Sequence, residues 1–134
     1  MTTLSIGQLA KATNVGIEAI RFYEKRGLVP PPERSPSGYR RFPQHTVDRL
    51  RFIRRAKHLG FTLEEISELL NLHDDPKSDR ANVKSMTETK LVHIERKLAD
   101  LERMREVLSS LSAECSGHGP VSGCPIIEAL SKDD

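Results

Sequence analysis

The sequence contains no apolar run long enough to cross a membrane. Residues 1–20 also lack the basic stretch and apolar core of a secretory signal. A cytoplasmic protein with no membrane partner is therefore expected. Cysteine is nearly absent, with Cys115 and Cys124 the only two. In a reducing compartment a lone pair of cysteines is a poor candidate for a structural disulfide, which leaves free thiols or metal ligands. No paired carboxylates and no nucleophile–base constellation stand out, so an enzyme is not expected. A thiol redox enzyme would need a reactive cysteine of low pKa. Finally, residues 81–113 contain neither proline nor glycine. Nothing there interrupts a long helix.

What is present suits a helix-rich chain of limited core volume: 134 residues, 37% hydrophobic and 30% charged. The net charge of +2 conceals a division. Residues 1–60 hold twelve Lys/Arg against four Asp/Glu, or +8, and residues 61–134 hold nine against fifteen, or −6. A basic half beside an acidic half points to a polyanion as partner of the first. The alternative is a basic surface that is merely solvated.

The first half reads as a row of short elements. Ile6, Leu9 and Ala10 fall at helical spacing, with Ser5 as cap and Gln8 completing a capping box. Asn14-Val15-Gly16 reads as a tight break. Ile17 and Ile20 begin a second helix that Gly27 ends. Two short helices about a tight turn make a helix-turn-helix candidate. Successive prolines at 30–32 then forbid helix. Ser35-Pro36-Ser37-Gly38 is a turn followed by an extended Tyr39–Phe42, which together predict a small hairpin, or wing. Pro43 suits the start of a third helix, in which Val47, Leu50, Ile53 and Ala56 form the apolar stripe. Thr62 and Glu65 cap a fourth, whose buried face is Ile66, Leu69 and Leu70.

From residue 81 to 113, Leu91, Ile94, Leu98, Leu101, Met104, Leu108 and Leu111 recur at steps of three or four. A lone helix of that length cannot bury such a stripe within a small head, so pairing with the same helix of a second chain is expected. Docking on the chain's own head is the alternative. Beyond it, CSGHGPVSGC is a loop of small residues, and Pro125 opens a short helix carrying Ile126, Ile127 and Leu130.

SIGQLAKATNVGIEAIRFYEKRGLVPPPERSPSGYRRF resembles the N-terminal winged helix-turn-helix of MerR-type regulators. HTVDRLRFIRRAKHLGFTLEEISELL resembles the helix pair that follows it, and CSGHGPVSGCPIIEAL the metal loop of the heavy-metal branch. The resemblance runs from about residue 4 to 130 and lies nearest the copper-efflux type. It implies an all-α fold with a small β wing: a winged helix-turn-helix head and a long antiparallel dimerisation helix. The expected domains are a DNA-binding head at 1–75, the dimerisation helix at 80–113, and a metal-binding loop with a short helix at 114–134. It also implies a homodimer that bends and untwists promoter DNA, so that metal binding turns repression into activation by RNA polymerase at the same promoter.

For the DNA face, Thr13 and Asn14 lie in the turn, and Glu18, Arg21 and Tyr23 lie on the recognition helix. The resemblance carries a DNA contact onto Arg21. Glu18 is expected at base edges. Tyr23 is expected at a phosphate through its hydroxyl, or else packed with Phe22. Arg34, Tyr39 and Arg40 match wing residues that lie against the DNA backbone, and Arg54 and Lys57 are expected on phosphates. Arg41, Arg49, Arg51 and Arg55 have no definite assignment.

Cys115 and Cys124 are the expected metal ligands. Two soft thiolates select Cu(I), Ag(I), Au(I), Hg(II) or another thiophilic ion. Sensors of zinc, cadmium, lead and mercury in this branch carry a third cysteine at the start of the dimerisation helix, and copper types a serine. Here that position is Arg80, beside Ser78 and Asp79. Arginine cannot ligate a metal, but it can offset the net −1 of two thiolates around a monovalent ion. Cu(I) is therefore the first expectation, with Ag(I), Au(I), Hg(II), Zn(II), Cd(II) and Pb(II) as alternatives. The eight residues between the cysteines argue the other way, since copper-type loops are typically one residue shorter. His118 is a candidate third ligand or a solvated loop side chain, and Asp79 and Arg80 are candidates for groups flanking the ion. A metal-independent architectural DNA-binding protein is the rival reading; it gives the cysteine loop no purpose.

Overall fold

A computed structural model describes residues 3–132. The chain divides into two compact units, Met1–Ser85 and Met86–Asp134.

The first unit begins with β1 (Thr3–Leu4), α1 (Ile6–Thr13) and α2 (Ile17–Lys25). Ser5 and Gln8 form the predicted capping box: the Ser5 hydroxyl accepts the Gln8 N–H at 3.2 Å, and Gln8 accepts the Ser5 N–H at 2.9 Å. Asn14 stops α1 in the left-handed region at φ 58°, where a short polar side chain is tolerated. Gly27 stops α2 in the same way at φ 78°. Next come β2 (Glu33–Arg34), β3 (Arg40–Pro43), α3 (His45–His58) and α4 (Leu63–Asp74). Thr62 and Glu65 cap α4 reciprocally.

The wing is an antiparallel pair of β2 and β3 with Glu33 opposite Arg41 and Arg34 opposite Arg40. Its turn closes through Gly38 N–H to the Ser35 carbonyl at 2.8 Å. Two details differ from the sequence expectation. A third strand, β1, pairs with the other edge of β3, placing Leu4 opposite Phe42. Pro43 ends β3 rather than starting α3, for which Gln44 is the N-cap. Sheet pairing with Thr3 holds Pro43 extended, which its fixed φ also allows.

The core of this unit is one apolar cluster. Leu9 and Val15 meet Ile20 and Tyr23, and Phe42, Leu50, Ile53 and Ile66 are fully enclosed. All four predicted stripe residues of α3 are buried: Val47, Leu50, Ile53 and Ala56.

Three arginines tie this unit through backbone carbonyls. Arg41 donates to both the carbonyl and the hydroxyl of Thr3, at 2.9 and 3.0 Å. Arg49 donates to the Leu28 carbonyl at 2.5 Å and to the Asp74 carboxylate at 3.1 Å. Arg51 donates to the Ala12 carbonyl at 3.2 Å. The Arg49 guanidinium, helped by His73, holds the Asp74 carboxyl below its usual range.

The second unit carries most of α5 (Arg80–Glu114) and all of α6 (Pro125–Leu130). At 1.5 Å per residue the 35 residues of α5 span about 50 Å. None of its residues is buried. Leu91, Ile94, Leu98, Leu101, Met104 and Leu108 are all exposed along it, a stripe that fits pairing with a second copy. Pro125 occupies the first turn of α6, as predicted.

Truncating Ile53 to Ala should cost about 2–5 kcal/mol, since it opens a cavity in an enclosed site; chemical denaturation of the whole chain measures it. Because Asp74 is held below its unfolded pKa, its contribution is present above the unfolded value and fades as pH falls through the folded one. Asp74→Asn should therefore lower stability at neutral pH and leave it less sensitive to pH below about 4. An acid titration of both proteins followed by circular dichroism reads the difference.

Candidate DNA interface and thiol pair

The first candidate site is the cationic face of the head. Burying one side of α3 leaves Arg51, Arg54, Arg55 and His58 on another, at helical spacings of three and four. These four side chains and Ala12, Thr13 and Asn14 line one cleft of about 340 Å³. The turn of the helix-turn-helix and the end of α3 thus meet in a single basic surface. Arg51 sits against the C-terminal carbonyls of α1, where a cation is favoured by the helix dipole.

The predicted DNA residues divide into two groups. Asn14, Glu18 and Arg21 are exposed on the turn and α2, Arg54 and Lys57 on α3, and Arg34 and Tyr39 on the wing. Tyr39 is 72% exposed. Thr13 and Tyr23 stand apart. Thr13 is 2% exposed and its hydroxyl donates to the Leu9 carbonyl at 2.8 Å. Its side chain is buried and its hydroxyl is satisfied within α1, so that hydroxyl is not free to donate to a groove. Tyr23 is 6% exposed and meets Phe22 edge-on at 6.0 Å, which is its packing reading. Lys57 lies over the Tyr23 ring with its ammonium 6.0 Å from the centroid. Arg40 is exposed but pairs with Glu24, so it fixes the wing against α2.

Arg51, Arg55 and His58 were missed as members of this surface. Their signal was present: positions 51, 54, 55 and 58 fall on one helix face beside the apolar stripe.

The second candidate site is the thiol pair. Cys115 follows α5 and Cys124 is the N-cap of α6. Three glycines between them take positive φ: Gly117 at 78°, Gly119 at 96° and Gly123 at 84°. That backbone folds the loop back and leaves the two Sγ atoms 4.0 Å apart, both half-buried. The backbone N–H groups of Ile127 and Ile126 reach the Cys124 sulfur and lower its pKa, with Cys115 adding to the effect. A lowered pKa favours the thiolate, the form in which a cysteine binds metal.

Among the described residues, no group of three or more His, Cys, Asp or Glu side chains assembles as a metal site. His118 is thus not brought to the sulfurs. Its backbone N–H instead meets the Ser116 hydroxyl at 3.3 Å. Asp79 accepts the Ala81 N–H at 2.9 Å, so its carboxylate serves the start of α5. Arg80 is the first residue of that helix and is exposed.

A family model described as "MerR HTH family regulatory protein" matches residues 4–72, and one described as "MerR, DNA binding" matches residues 47–111. The chain belongs to the MerR family. It is a DNA-binding transcriptional regulator rather than an enzyme. It is 44% identical to the mercuric resistance operon regulatory protein of Bacillus cereus, over 95% of this chain and 96% of that one. It is also 44% identical to the HTH-type transcriptional regulator CueR of Salmonella typhimurium, over 96% and 92%. Its fold is similar to that of PbrR691 from Ralstonia metallidurans in complex with lead(II), with a TM-score of 0.84, 31% identity, and coverage of 96% and 99%. It is likewise similar to MerR from Bacillus megaterium in complex with mercury(II), at 0.73, 41%, and 96% and 100%. The sequence expectation of the copper-efflux type is thereby loosened: this regulator is no nearer that type than the mercury or lead types.

If the basic cleft faces DNA, Arg55→Ala should weaken operator binding and reduce the slope of log affinity against log salt by about 0.9 for each protomer bound, or about 1.8 for a dimer. Thr13→Val should leave that slope unchanged and act on stability instead. Fluorescence anisotropy with operator DNA across a salt series separates the two.

Proposed function

We propose that this regulator binds promoter DNA as a homodimer and responds to a soft metal ion held between Cys115 and Cys124, with Hg(II) as the first choice. The carrying observation is the 4.0 Å separation of two half-buried sulfurs, with no group of three or more His, Cys, Asp or Glu side chains assembled as a metal site among the described residues. Two metal–sulfur bonds of about 2.3 Å would separate the sulfurs by about 3.8 Å at a tetrahedral angle and about 4.6 Å in a straight line. The pair needs to move only a few tenths of an ångström to meet either.

Hg(II) accepts two thiolates in a line and needs no further donor. Zn(II), Cd(II) and Pb(II) would have to recruit more ligands. Cu(I), Ag(I) and Au(I) share the linear preference and remain the second reading. Hg(II) moves ahead of Cu(I) for two reasons. The eight-residue loop has the divalent-metal length, and a mercury-bound structure lies among the similar proteins at 41% identity. With Hg(II), two thiolates give a neutral centre, so Arg80 has no charge to offset there.

The division of labour follows the sequence. Residues 1–75 grip DNA, with Asn14, Glu18, Arg21, Arg34, Tyr39, Arg54 and Lys57 offered to it. Residues 80–113 pair two copies, and residues 114–134 hold the ion. RNA polymerase at the same promoter reads the change in DNA shape, and the cytoplasm is where these partners meet. No described helix is long and apolar enough to cross a membrane. The metal-independent architectural reading leaves the sulfur pair without a role.

The test is promoter activity over a metal series, with X-ray absorption of the loaded protein. Hg(II) should activate, with two sulfur neighbours at the metal. Cys115→Ser and Cys124→Ser should each lower the response by about 100-fold or more, since one thiolate alone holds a soft ion poorly. Response to Cu(I) without response to Hg(II) would overturn the choice of ion. Equal output across all metals would overturn the sensor itself.

A further inference from the structure

The thiol pair has a second chemistry that metal binding does not use. The Sγ atoms lie 4.0 Å apart in a segment that is accessible from solvent. A disulfide needs them at about 2.05 Å, so they must approach by roughly 2 Å. The hydrogen bonds around the loop are local. Ser116 bonds with His118, and Cys124 N–H donates to the Val121 carbonyl at 2.9 Å. Neither ties one sulfur-bearing arm to the other. Glycines at 117, 119 and 123 give the intervening backbone freedom that other residues lack. The closing motion falls on this loop, which lies between α5 and α6.

We propose that Cys115 and Cys124 also form a reversible intramolecular disulfide, with a low-molecular-weight disulfide as the oxidant, and that this state cannot take up metal. One protein sulfur, as thiolate, attacks a sulfur of the oxidant. A protein–oxidant mixed disulfide forms, and one molecule of free thiol leaves. The second protein thiol, losing its proton, then attacks the first protein sulfur. The mixed bond breaks, the protein disulfide forms, and a second free thiol leaves. The protein gives up two electrons and two protons, and one disulfide molecule becomes two thiols. A half-buried bridge across a short loop, still within reach of small thiols, is of the labile kind that a thiol pool reverses.

The metal-blocking half rests on the metal reading above, because a disulfide removes both thiolate donors. In turn, a bound ion occupies both sulfurs and shields them from the oxidant. The pair therefore reports metal only while the thiol pool is reduced.

The test uses the reduced full chain and excess oxidised glutathione, followed by mass spectrometry and thiol titration. The expected product has lost two hydrogens and both free thiols, carries no glutathione and has no interchain cross-link. Cys115→Ser and Cys124→Ser should each stop at a single glutathione adduct. Hg(II) uptake by the oxidised protein should fall by at least about tenfold and return with dithiothreitol. Protein loaded with Hg(II) beforehand should resist oxidation. A stable glutathione adduct on the unsubstituted protein, or cross-linked chains, would overturn the proposal. Reduced protein that binds neither Hg(II) nor Cu(I) would overturn the metal reading and the blocking claim with it, while the thiol count decides the disulfide independently.

Discussion

Burial of one side of α3 is the constraint on which the head depends. Val47, Leu50, Ile53 and Ala56 are committed to the core, so the rotation of the helix about its axis is fixed. With the rotation fixed, Arg51, Arg54, Arg55 and His58 have one place to go, and it is beside the turn between α1 and α2. The cationic surface is thus a consequence of packing and needs no stabilisation of its own. Charges brought this close repel one another, and a polyanion relieves that repulsion.

Arginines do two kinds of work in this head, and the structure separates them. Arg41, Arg49 and Arg51 donate to backbone carbonyls of residues far away in sequence. Arg49 is the broadest of these links. It holds the residue that leaves α2 through Leu28 and the end of α4 through Asp74. A guanidinium suits this work because its donors are fixed in a plane and can serve two acceptors at once. Arg40 holds the wing by another route, through Glu24. Recognition helix, wing and the exit of α4 are therefore connected by polar contacts at the rim of an apolar core. Such contacts are more easily remade than the core.

The features legible in the sequence were those encoded within a few residues. The capping boxes at Ser5 and Thr62, the stops at Asn14 and Gly27, and the apolar stripes of α3 and α5 each follow from local spacing. What was illegible depended on distant partners. Strand β1 is two residues long and exists because β3 offers it an edge. Pro43 suits a helix start and a strand end equally, and only Thr3 decides between them. Thr13 and Tyr23 carry hydroxyls in a stretch expected to touch DNA, yet their remaining atoms are apolar enough to complete the core. A polar side chain that satisfies its hydroxyl within its own turn, as Thr13 does with Leu9, can be buried at little cost. Neither composition nor periodicity reports that.

For the metal loop the sequence supplied the donors and their spacing, and the glycines supplied the means of bringing them together. The structure adds how few donors there are. On the proposed reading, a site of two sulfurs discriminates by coordination number, since no group of three or more His, Cys, Asp or Glu side chains assembles among the described residues. Ions that require four ligands must take the rest from water or a partner chain, and they lose affinity in doing so. Ions content with two lose nothing. On that reading, selectivity for soft, linear ions comes from what the loop withholds as much as from what it offers.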